Sequence, residues 1–547
     1  MNARRRIATI GRIEGTTVGS RAREWAFSRL AVGALLLFLA FGLAACGMLP
    51  AQVDRPYSPA LPPSVDSPLV RIAQESTPEP SQTGFRLMPL GVYALDARIE
   101  LIQRARFSLD VQYYLIQDDR TGRLFMRSLR DAALRGVRVR VLVDDLYTAG
   151  ADPMFLGLAA FPNVEVRLFN PFCCARESVA SKFTASLADW RRLNHRMHNK
   201  LFIADGAIAV MGGRNIADEY FARSSASNFV DMDVLLVGNV VHQLAGIFDI
   251  YWNSPQAYSV EAIVGEPADR GETRHGFNHL VDDGDQMRSV TVPPMDMLGH
   301  RRLSEDLDAG RLSLVWGEAV AFADQPGKVM ATSVEMARSM SVQMNVMDRV
   351  ALATRQVVIS SPYFVPGTTG VEVFADLTKR GVSVVILTNS LAANDVPIVH
   401  VGYARYRVGL VRAGVELHEL SLAGLRRDSW DVFPGMSLGR LHAKAAVIDQ
   451  SRVYIGSMNL DPRSENFNTE LGIVAQCPEI AQDVIRVIDA TRLQSSYRVQ
   501  FGSDGESLEW LAQGHERGSA LSSEPEAGPF IQFRNMLLGP FVPEQLL

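Results

Sequence analysis

The same pattern of five residue types occurs twice in this chain, and a fold must accommodate both copies. The first copy runs from His198 to Asn215 and the second from His442 to Asn459. Both follow H-x-K-x4-D-x6-G-x2-N, with identical spacing throughout. Two matches of this length within one polypeptide indicate an internal duplication, in which each copy belongs to one structural unit.

The duplication extends upstream of the two motifs. Each motif is preceded by a β-branched run, a helical stretch and a second β-branched run that opens with Gly-Val. The runs are SLDVQYYLI (108–116) and GVRVRVLVDD (136–145) in the first half, and QVVISSPYFV (356–365) and GVSVVILTNS (381–390) in the second. Continuous apolar strands separated by helices predict a buried parallel or mixed sheet. We therefore predict an α/β fold made of two similar halves.

With 547 residues, the chain is too long for one ordinary domain of ~100–200 residues. A Pro-rich stretch follows the N-terminal region, and a polar, Gly-rich stretch separates the halves. The predicted organisation is a signal peptide or membrane anchor (1–46), a Pro-rich tether (47–84), a first domain (85–262), a linker or insertion (263–312) and a second domain (313–547).

The N-terminus predicts a membrane attachment. An arginine-rich lead precedes an uncharged run, Leu30–Ala45, which ends at Cys46. The run is short for a spanning helix, which needs ~20 residues, and fits a signal-peptide core better. The residues Leu43–Cys46 resemble a bacterial lipobox, in which Cys46 would carry lipid; the alternative is an uncleaved anchor helix. Either predicts a membrane-anchored protein that faces the periplasm, with the inner or outer membrane left open.

Charge and cysteine content exclude several classes of protein. The formal net charge of −5 argues against a general nucleic-acid binder, so no nucleic-acid partner is expected. The chain has no HExxH or CxxC zinc pattern, and the adjacent Cys173 and Cys174 are too close for an ordinary disulfide. His275 and His279 lie in a polar stretch and are interpreted as surface residues. We expect no metal and no cofactor.

Each motif places several chemical groups on one surface. Histidine and lysine two residues apart on a strand point to the same face, which applies to His198 with Lys200 and to His442 with Lys444. The glycines that follow let the chain bend and return an asparagine to the same place. The intervening aspartates, Asp205 and Asp449, occupy predicted hairpin turns, where a structural role is expected.

A pair of such clusters suits displacement at phosphorus. Attacking and leaving groups lie on opposite sides of the phosphorus atom, so one histidine is needed on each side. One histidine must be neutral to attack, while the other must carry a proton for the leaving alcohol. Two lysines and two asparagines can surround the phosphate oxygens, whose negative charge the lysines neutralise. The pattern predicts a covalent phosphohistidine and a bell-shaped pH–rate profile.

The two clusters resemble the paired HKD motifs of the phospholipase D superfamily, over roughly Phe85 to the C-terminus. The resemblance is sharper for the bacterial cardiolipin synthases, especially the cardiolipin synthase C type. It is carried by Arg196–Lys200, Gly212–Tyr220, Asp118–Leu124 and Asn389–Asp395. It implies two pseudo-symmetric phospholipase D-like domains, each a mixed β-sheet flanked by helices, with one shared active site at their interface.

The resemblance also implies roles for individual residues. His198 would be the nucleophile and His442 the acid and base. The phosphate would be bound by Lys200, Asn215, Lys444 and Asn459. In the family an acidic residue downstream of each cluster orients that cluster's histidine. Glu470 is the match for the second cluster; Asp231, with Asp233 as a rival, is the match for the first.

The leading functional hypothesis is lipid phosphatidyl transfer that yields cardiolipin, with phosphatidylglycerol and possibly phosphatidylethanolamine as substrates. Hydrolysis of phospholipids to phosphatidic acid would use the same residues. A nuclease and a non-catalytic envelope lipoprotein are further alternatives, which the acidic charge and the intact motifs disfavour.

Several residues near the motifs keep two interpretations. The arginines could bind a second lipid phosphate or form a solvated edge, and the aromatic residues could line a cleft or pack in a core. Asn215 and Asn459 could also be turn residues, and Ser457 could add a hydroxyl donor in one half only. The arginines are Arg191, Arg192 and Arg196, and the aromatic residues are Tyr113, Tyr114, Tyr363 and Phe364.

Overall fold

A computed structural model of the chain describes residues 49–50, 53–186, 189–282, 292–425, 439–514, 520–538 and 543–544. The predicted signal peptide or anchor and Cys46 lie outside the described residues. No helix within the described ranges is long and apolar enough to cross a membrane.

Within the described residues, eighteen strands form one mixed sheet, and two short strands, β7 and β14, form a separate parallel pair. The strands are β1 (Thr83–Met88), β2 (Ser108–Tyr113), β3 (Arg138–Asp144), β4 (Val164–Phe169), β5 (Leu201–Ala204), β6 (Ile208–Gly212), β7 (Asn228–Val230), β8 (Asp233–Gly238), β9 (Ala257–Ser259), β10 (Val315–Ala323), β11 (Gln356–Ser360), β12 (Ser383–Asn389), β13 (Glu416–Leu420), β14 (Gly439–Leu441), β15 (Ala445–Ile448), β16 (Arg452–Gly456), β17 (Leu471–Gln476), β18 (Ser496–Phe501), β19 (Leu508–Ala512) and β20 (Ala520–Leu521).

Helices cover the sheet and connect its parallel strands. They are α1 (Pro68–Ser76), α2 (Gly91–Arg104), α3 (Arg120–Leu134), α4 (Asp152–Ala159), α5 (Val179–Ala185), α6 (Trp190–Leu193), α7 (Asn239–Trp252), α8 (Val260–Val264), α9 (Arg270–Val281), α10 (Leu303–Asp308), α11 (Val334–Ser339), α12 (Val342–Ala351), α13 (Gly367–Lys379), α14 (Pro397–Arg412), α15 (Pro462–Asn466), α16 (Pro478–Gln494) and α17 (Pro529–Leu538), with short 3-10 helices at Asp218–Tyr220 and Pro326–Met330.

The two halves repeat the same strand order. In the first half, β4, β3 and β2 are parallel neighbours, and the antiparallel strands β5, β6 and β8 follow. In the second half, β13, β12 and β11 are parallel neighbours, followed by β15, β16 and β17. The first part of β10, residues 315–317, pairs with β1, and the rest, residues 318–323, pairs with β17, which joins the half-sheets into one. The predicted α/β duplication is confirmed.

The cores follow from this arrangement. One apolar cluster fills the first half and another fills the second, each between the sheet and its helices. A third cluster crosses between the halves, with Met197 and Leu201 from the first half beside Leu441 and Leu471 from the second. The contact between the halves is therefore a continuous apolar core, which holds the two motifs in a fixed relation.

The tether predicted for residues 47–84 is wrong for the part that the structure describes. Residues 55–63 run along the first half as a docked strap, and α1 then packs on that half. The backbone N–H groups of Ser58 and Ala60 donate to Asn253 and Asp249, and the buried Arg140 donates to Ser58 O. Prolines keep the strap extended, but hydrogen bonds to the body satisfy its backbone, so it is not a free spacer.

Two polar stretches outside the repeated halves also contain regular structure. Residues 263–312, predicted as a linker or insertion, include α9, whose Phe277 is buried against Phe161 with ring centroids 6.2 Å apart. The polar stretch 502–528 includes β19, which pairs with β18. Polar composition concealed these elements because each one exposes most of its surface and buries only a few apolar residues.

Candidate active site

The two histidine–lysine pairs stand in extended segments just before β5 and β15, rather than inside the strands. Lys200 Nζ donates to the carbonyl of His198 at 2.6 Å, and Lys444 Nζ donates to the carbonyl of His442 at 2.5 Å. All four residues are at most 7% exposed. Each lysine is thereby folded back onto its own histidine, in the same geometry in both halves.

The carboxylates that orient the histidines are exchanged between the halves. His198 Nδ1 lies 3.0 Å from Glu470 Oε2, and His442 Nδ1 lies 2.6 Å from Asp231 Oδ2. The expected assignment, in which each carboxylate serves the histidine of its own cluster, is therefore wrong. Because Nδ1–H of each ring donates to a carboxylate, Nε2 is left as the reactive nitrogen.

Main-chain pairing explains the exchange. Thr469, which precedes Glu470, accepts a hydrogen bond from His198 N at 2.8 Å. In the same way Val230, which precedes Asp231, accepts one from His442 N at 2.8 Å. The residue before each carboxylate thus lies along the opposite cluster, which brings both histidines and both lysines into one site between the halves.

Asp231 and Glu470 differ in side-chain length, and the residue beside each carboxylate differs too, with Gly213 beside Asp231 and Ser457 beside Glu470. A Cβ atom on Gly213 would lie 2.2 Å from Asp231 Oδ1, so the first half has no room for a side chain there. In the second half Ser457 occupies the corresponding position and donates to Glu470 Oε2 at 2.5 Å, while Ser464 donates to Oε1 at 2.9 Å. Glycine accommodates the aspartate, and serine supports the longer glutamate.

The two histidines have different electrostatic environments. Burial and the neighbouring lysines lower the pKa of His198 well below its usual value. Burial and Lys444 lower the pKa of His442 to about 4, although Asp231 opposes this shift. Both rings are therefore neutral near pH 7 in the absence of substrate, and a bound phosphate would raise both pKa values by adding negative charge.

The pKa values of the two carboxyl groups, Glu470 and Asp231, are shifted in opposite directions. Burial raises the pKa of Glu470 to about 7, against the opposing charge of Lys200. Burial also acts to raise the pKa of Asp231, but the charge of His442 and its hydrogen bond outweigh burial and lower that pKa to about 2. Asp231 is consequently ionised at every physiological pH, and it is the stronger support for an imidazolium.

The lysines form the positive part of the site. Burial lowers the pKa of Lys200 well below its usual value, with Glu470 opposing, and burial lowers the pKa of Lys444 to about 8. The two ammonium groups also repel each other. An anion bound between them would remove this repulsion, so the site is suited to a phosphate group.

Both asparagines of the motifs are buried. Asn215 is 2% exposed and donates through Nδ2 to the hydroxyl of Tyr220 at 2.9 Å, whereas Asn459 is 5% exposed. Their carbonyl oxygens have no hydrogen-bond partner among the described residues. Asn215 thus lies close to the site through Tyr220, whose ring centroid is 5.1 Å from that of His442.

Aromatic rings form the walls of the site. The ring of Tyr114 lies 5.0 Å from that of His198, and the rings of Tyr220 and Phe229 lie 5.1 and 4.9 Å from that of His442. Tyr114, one of the four aromatic residues that could line a cleft or pack in a core, therefore lies in the site. Tyr113 is instead buried in the first core.

The two remaining aromatic residues follow β11. Phe364 lies in the core of the second half. Tyr363 donates to Asp395 at 2.8 Å, and the charge of Asp395 acts on Lys444. Tyr363 therefore borders the site from the side of the second half.

Two residues that hold the main chain next to the histidines were not among those predicted. Asp144, at the end of β3, accepts a hydrogen bond from Met197 N at 2.8 Å, and Asn389, at the end of β12, accepts one from Leu441 N at 2.9 Å. Each therefore fixes the residue immediately before a histidine. Their equivalent positions at the ends of matching strands were the available signal, but Asp and Asn differ, which hid the equivalence.

The turn aspartates have the structural role that was predicted. Asp205 accepts hydrogen bonds from Phe107 N and Ser108 N at 2.8 and 2.9 Å, and Asp449 accepts them from Arg355 N and Gln356 N at 2.7 and 3.1 Å. They lie at the far ends of β5 and β15, away from the histidines. Each aspartate ties its hairpin to the start of the neighbouring central strand.

Most of the other charged residues near the motifs form ion pairs or hydrogen bonds with other parts of the protein. Asp233 pairs with the buried Arg98 at 2.9 Å, so it does not contact a histidine. Arg196 is buried beside Asp144 at 3.2 Å, and Arg192 donates to the carbonyl of Pro171. Of the three arginines near the first motif, Arg191 is exposed.

A metal site is not evident within the described ranges, where no group of three or more His, Cys, Asp or Glu side chains could hold an ion. The arrangement nonetheless contains the elements of acid–base and nucleophilic chemistry at phosphorus. Two imidazoles, each with Nδ1 held by a carboxylate, and two lysine side chains lie in one buried cluster, where fixed charges stabilise a developing anion most strongly.

Comparison with known proteins gives the same picture. The family described as "Cardiolipin synthase, PLD-like domain" matches residues 98–252 and 346–492, which together make up more than half of the chain. Cardiolipin synthase C of Escherichia coli K12 is 36% identical over 454 residues, covering 82% of this chain and 92% of that protein. A cardiolipin synthase of Staphylococcus aureus Mu50 is 25% identical over 395 residues, covering 72% and 64%.

A solved structure supports the fold. The crystal structure of phosphatidylserine synthase from Haemophilus influenzae Rd KW20 matches with a TM-score of 0.52 at 14% identity, covering 85% of this chain and 95% of that chain. The two matched ranges each contain one histidine–lysine motif, and both motifs contribute to the site described above. The chain belongs to the cardiolipin synthase family of phospholipase D-like proteins.

Proposed function

We propose that this protein is a membrane-associated phosphatidyltransferase that makes cardiolipin from two phospholipids through a phosphohistidine intermediate. The observation that carries the proposal is the exchange of carboxylates, which puts His198 and His442 in one buried site and holds Nδ1 of each ring, so that Nε2 is the nitrogen left for chemistry. Membership of the cardiolipin synthase family and the names of the similar proteins support a phospholipid substrate.

In the first step, His198 Nε2 attacks the phosphorus of the donor lipid. The P–N bond forms as the bond from phosphorus to the head-group oxygen breaks. His442 gives its Nε2 proton to that oxygen, so that the head group leaves as a neutral alcohol. Lys200 and Lys444 neutralise the charge that builds up on the phosphate oxygens, because both ammonium groups are held in a site with little water.

The electrostatic difference between the histidines favours this division of roles. The acid must be protonated when the substrate is bound, and Asp231, with its pKa lowered to about 2 mainly by His442 against burial, supports that protonated state. The nucleophile must be neutral, and Glu470, with its pKa raised to about 7 by burial, supports an imidazolium on His198 less well. The same assignment is implied by the family resemblance.

In the second step, the hydroxyl group of a second phospholipid attacks the phosphorus of the intermediate. His442, now neutral, takes the hydroxyl proton, the P–N bond breaks and His198 is regenerated. With phosphatidylglycerol as the acceptor the product is cardiolipin. Water as the acceptor would give phosphatidic acid with the same residues, so access of the second lipid determines the outcome.

Membrane attachment is part of the proposal. The uncharged run Leu30–Ala45 followed by Cys46 supports a lipid anchor or an anchor helix, with the catalytic halves in the periplasm. Attachment would raise the local concentration of lipid substrate around the enzyme.

Product analysis tests the proposal. The full-length protein is incubated with vesicles of phosphatidylglycerol, with and without phosphatidylethanolamine, and the lipids are identified by mass spectrometry. We expect cardiolipin from the wild type and none from His198→Ala. His242→Ala changes an exposed histidine on α7 and serves as the control with full activity. Phosphatidic acid alone would show a hydrolase, and unchanged lipids would contradict both activities.

Trapping tests the intermediate. With an aryl phosphodiester labelled in the phosphate, whose leaving group needs no proton from His442, His442→Ala should accumulate label on the protein, because the second step lacks its base. The label should be stable to alkali and labile to acid, as for a phosphoramidate. His198→Ala should carry no label. Label on His198→Ala together with its loss from His442→Ala would reverse the two roles.

A further inference from the structure

Helix α17 (Pro529–Leu538) carries an outward apolar stripe. Phe530, Phe533 and Leu537 are 75%, 58% and 56% exposed, although large apolar side chains are usually buried. Their spacing of three and four residues puts them on one face of the helix. The stripe is therefore a property of the helix and not three unrelated exposed residues.

The other side of α17 is attached to the protein. Asn535 is 8% exposed and donates through Nδ2 to the carbonyl of Pro397 at 3.1 Å, at the start of α14. Asn535 lies on the opposite side of the helix from the stripe, so the stripe faces away from the body. Arg534 follows Phe533 in sequence and lies at the edge of the stripe by helical rotation.

The attachment point is next to the active site. Pro397 follows Asp395 by two residues, and Asp395 accepts the hydrogen bond from Tyr363 at 2.8 Å. The charge of Asp395 acts on the ammonium group of Lys444. Val396, which lies between Asp395 and Pro397, is itself 39% exposed. Val396 thus adds one exposed apolar side chain between the point where α17 is attached and Asp395, whose charge acts on the site.

We propose that α17 is an interfacial helix, which inserts Phe530, Phe533 and Leu537 into the surface of a phospholipid bilayer beside the active site. Aromatic and aliphatic side chains on one face, with an arginine at the edge of that face, are typical of helices that lie in the head-group region. The arginine can extend its guanidinium to anionic head groups while its stem stays in apolar surroundings. The inference rests on the proposed function, because it assigns the lipid surface from which that site would take its substrate.

A second copy of the chain is a poorer occupant for the stripe. Three side chains of roughly 150–250 Å² each provide less than the ~800 Å² per partner that a stable protein interface buries. A bilayer has no such threshold, since each inserted side chain contributes independently.

Fluorescence quenching tests insertion separately from activity. The full-length variants Phe533→Trp and Leu134→Trp are reconstituted into vesicles with brominated phospholipids. Leu134 is 68% exposed and lies at the end of α3, close to the strand ends that are remote from the histidines. We expect the fluorescence added at 533 to be quenched and that added at 134 to be unaffected, each measured against the wild type. Absence of quenching at 533 would overturn the proposal.

Kinetics test the role of insertion in substrate access. The variant Phe530→Ser/Phe533→Ser/Leu537→Ser should raise the apparent KM for phosphatidylglycerol in vesicles about 10-fold, since three apolar side chains no longer hold the surface. Its rate on short-chain phosphatidylglycerol below the micelle concentration should equal the wild-type rate, which also shows that it is folded. Leu134→Ser is the matched control. An unchanged KM on vesicles would count against the proposal.

The outcomes separate this proposal from the proposed function. If the wild type is inactive on both lipid forms but the fluorescence of Phe533→Trp is quenched, the interfacial helix stands and the phosphatidyltransferase assignment fails. If the triple variant changes a wild-type dimer into a monomer and the fluorescence of Phe533→Trp is not quenched, the stripe is an interface between copies of the chain, and the membrane proposal is wrong.

Discussion

His442 and Asp231 come from opposite halves of the chain, yet His442 Nδ1 and Asp231 Oδ2 are only 2.6 Å apart. The reverse pair, His198 and Glu470, crosses between the halves in the same way. Each histidine therefore has its tautomer fixed by the half that does not contain it. Neither half can form a competent catalytic group alone, which ties activity to the contact between the halves.

The two crossed carboxylates should affect different chemical steps. Asp231→Asn is expected to lower kcat/KM for a phospholipid by ~10²–10⁴, because the acid His442 loses its support. With an aryl phosphodiester whose leaving group needs no proton, the loss should be at least ten times smaller in the same assay. Glu470→Gln should lower activity on both substrates, because it acts on the nucleophile.

The control for this experiment is Asp376→Asn, which removes an exposed carboxylate on α13 that is 69% exposed and pairs only with its neighbour Arg380 among the described residues. Its kinetics should match the wild type. Equal losses on both substrates for Asp231→Asn and Glu470→Gln would show that the two histidines do not have separate roles.

The complementarity of Gly213 with Asp231 gives a second prediction. A Cβ at position 213 would lie 2.2 Å from Asp231 Oδ1, so Gly213→Ala must displace the carboxylate that orients His442. Such overpacking typically costs about 1–3 kcal/mol, and we expect that loss in the free energy of unfolding together with a large drop in kcat. Urea denaturation and initial rates measure both.

The matched change in the other half is Ser457→Gly, which adds no atoms. It removes the hydroxyl that donates to Glu470, so we expect a loss of about 1 kcal/mol and a smaller fall in activity. If Gly213→Ala is milder than Ser457→Gly in both measurements, the structural reason given for the asymmetry is incorrect.

Much of the site could be predicted from the sequence because the motif repeats with fixed spacing. The identical separation of His198 from Asn215 and of His442 from Asn459 predicts one geometry formed twice, and the structure brings both histidines, with their lysines, into one buried site. The two downstream carboxylates were implied by the family resemblance and belong to the site, but each contacts the histidine of the opposite cluster. Sequence alone could not reveal this exchange, because it depends on the docking of the halves.

The predicted fold is wrong where contacts with distant parts of the chain, and not the local sequence, determine the structure. Proline content predicts an extended segment at 55–63 but says nothing about whether that segment meets hydrogen-bonding groups on the body. The polar residues 270–281 form a helix that buries only Phe277 and Val281, too few apolar positions for a clear period. In both cases tertiary contacts determine the structure, and those contacts involve residues distant in sequence.

The lysines set the expected alkaline limit of activity. Burial lowers the pKa of Lys444 to about 8, so in the free enzyme its positive charge is present below that pH and lost above it. For a soluble aryl phosphodiester, whose leaving group needs no proton from His442, we therefore expect kcat/KM to fall as the pH rises through about 8, since this parameter reports the free enzyme. Rates from pH 5 to 10 on a soluble substrate measure the limit.

Protonation of the nucleophile, His198, determines the acid limb of the same pH profile of kcat/KM. Because burial and the lysines lower the pKa of His198 well below 6.5, His198 stays neutral and able to attack in mildly acidic solution. The acid limb should therefore lie well below the usual histidine value. A constant kcat/KM up to pH 10, or an acid limb near pH 6.5, would contradict the buried electrostatics described here.

Asp144 should be essential for both stability and the position of His198. Its carboxylate accepts hydrogen bonds from Met197 N and Leu146 N and lies 3.2 Å from the guanidinium of Arg196. Asp144→Ala would leave Arg196 as a buried cation without its partner, and breaking such a pair typically costs about 3–5 kcal/mol. Urea denaturation should show this loss, whereas Asp376→Ala, at an exposed position, should show almost none.

A double variant distinguishes positioning from stability alone. Adding Arg196→Met to Asp144→Ala removes the unpaired charge, so most of the lost free energy of unfolding should return. The hydrogen bond to Met197 N, however, would still be missing, and His198 would remain poorly held. We therefore expect the double variant to be folded but to label slowly with phosphate from the donor lipid. Wild-type labelling in that stable variant would show that Asp144 supports only the fold and does not position the nucleophile.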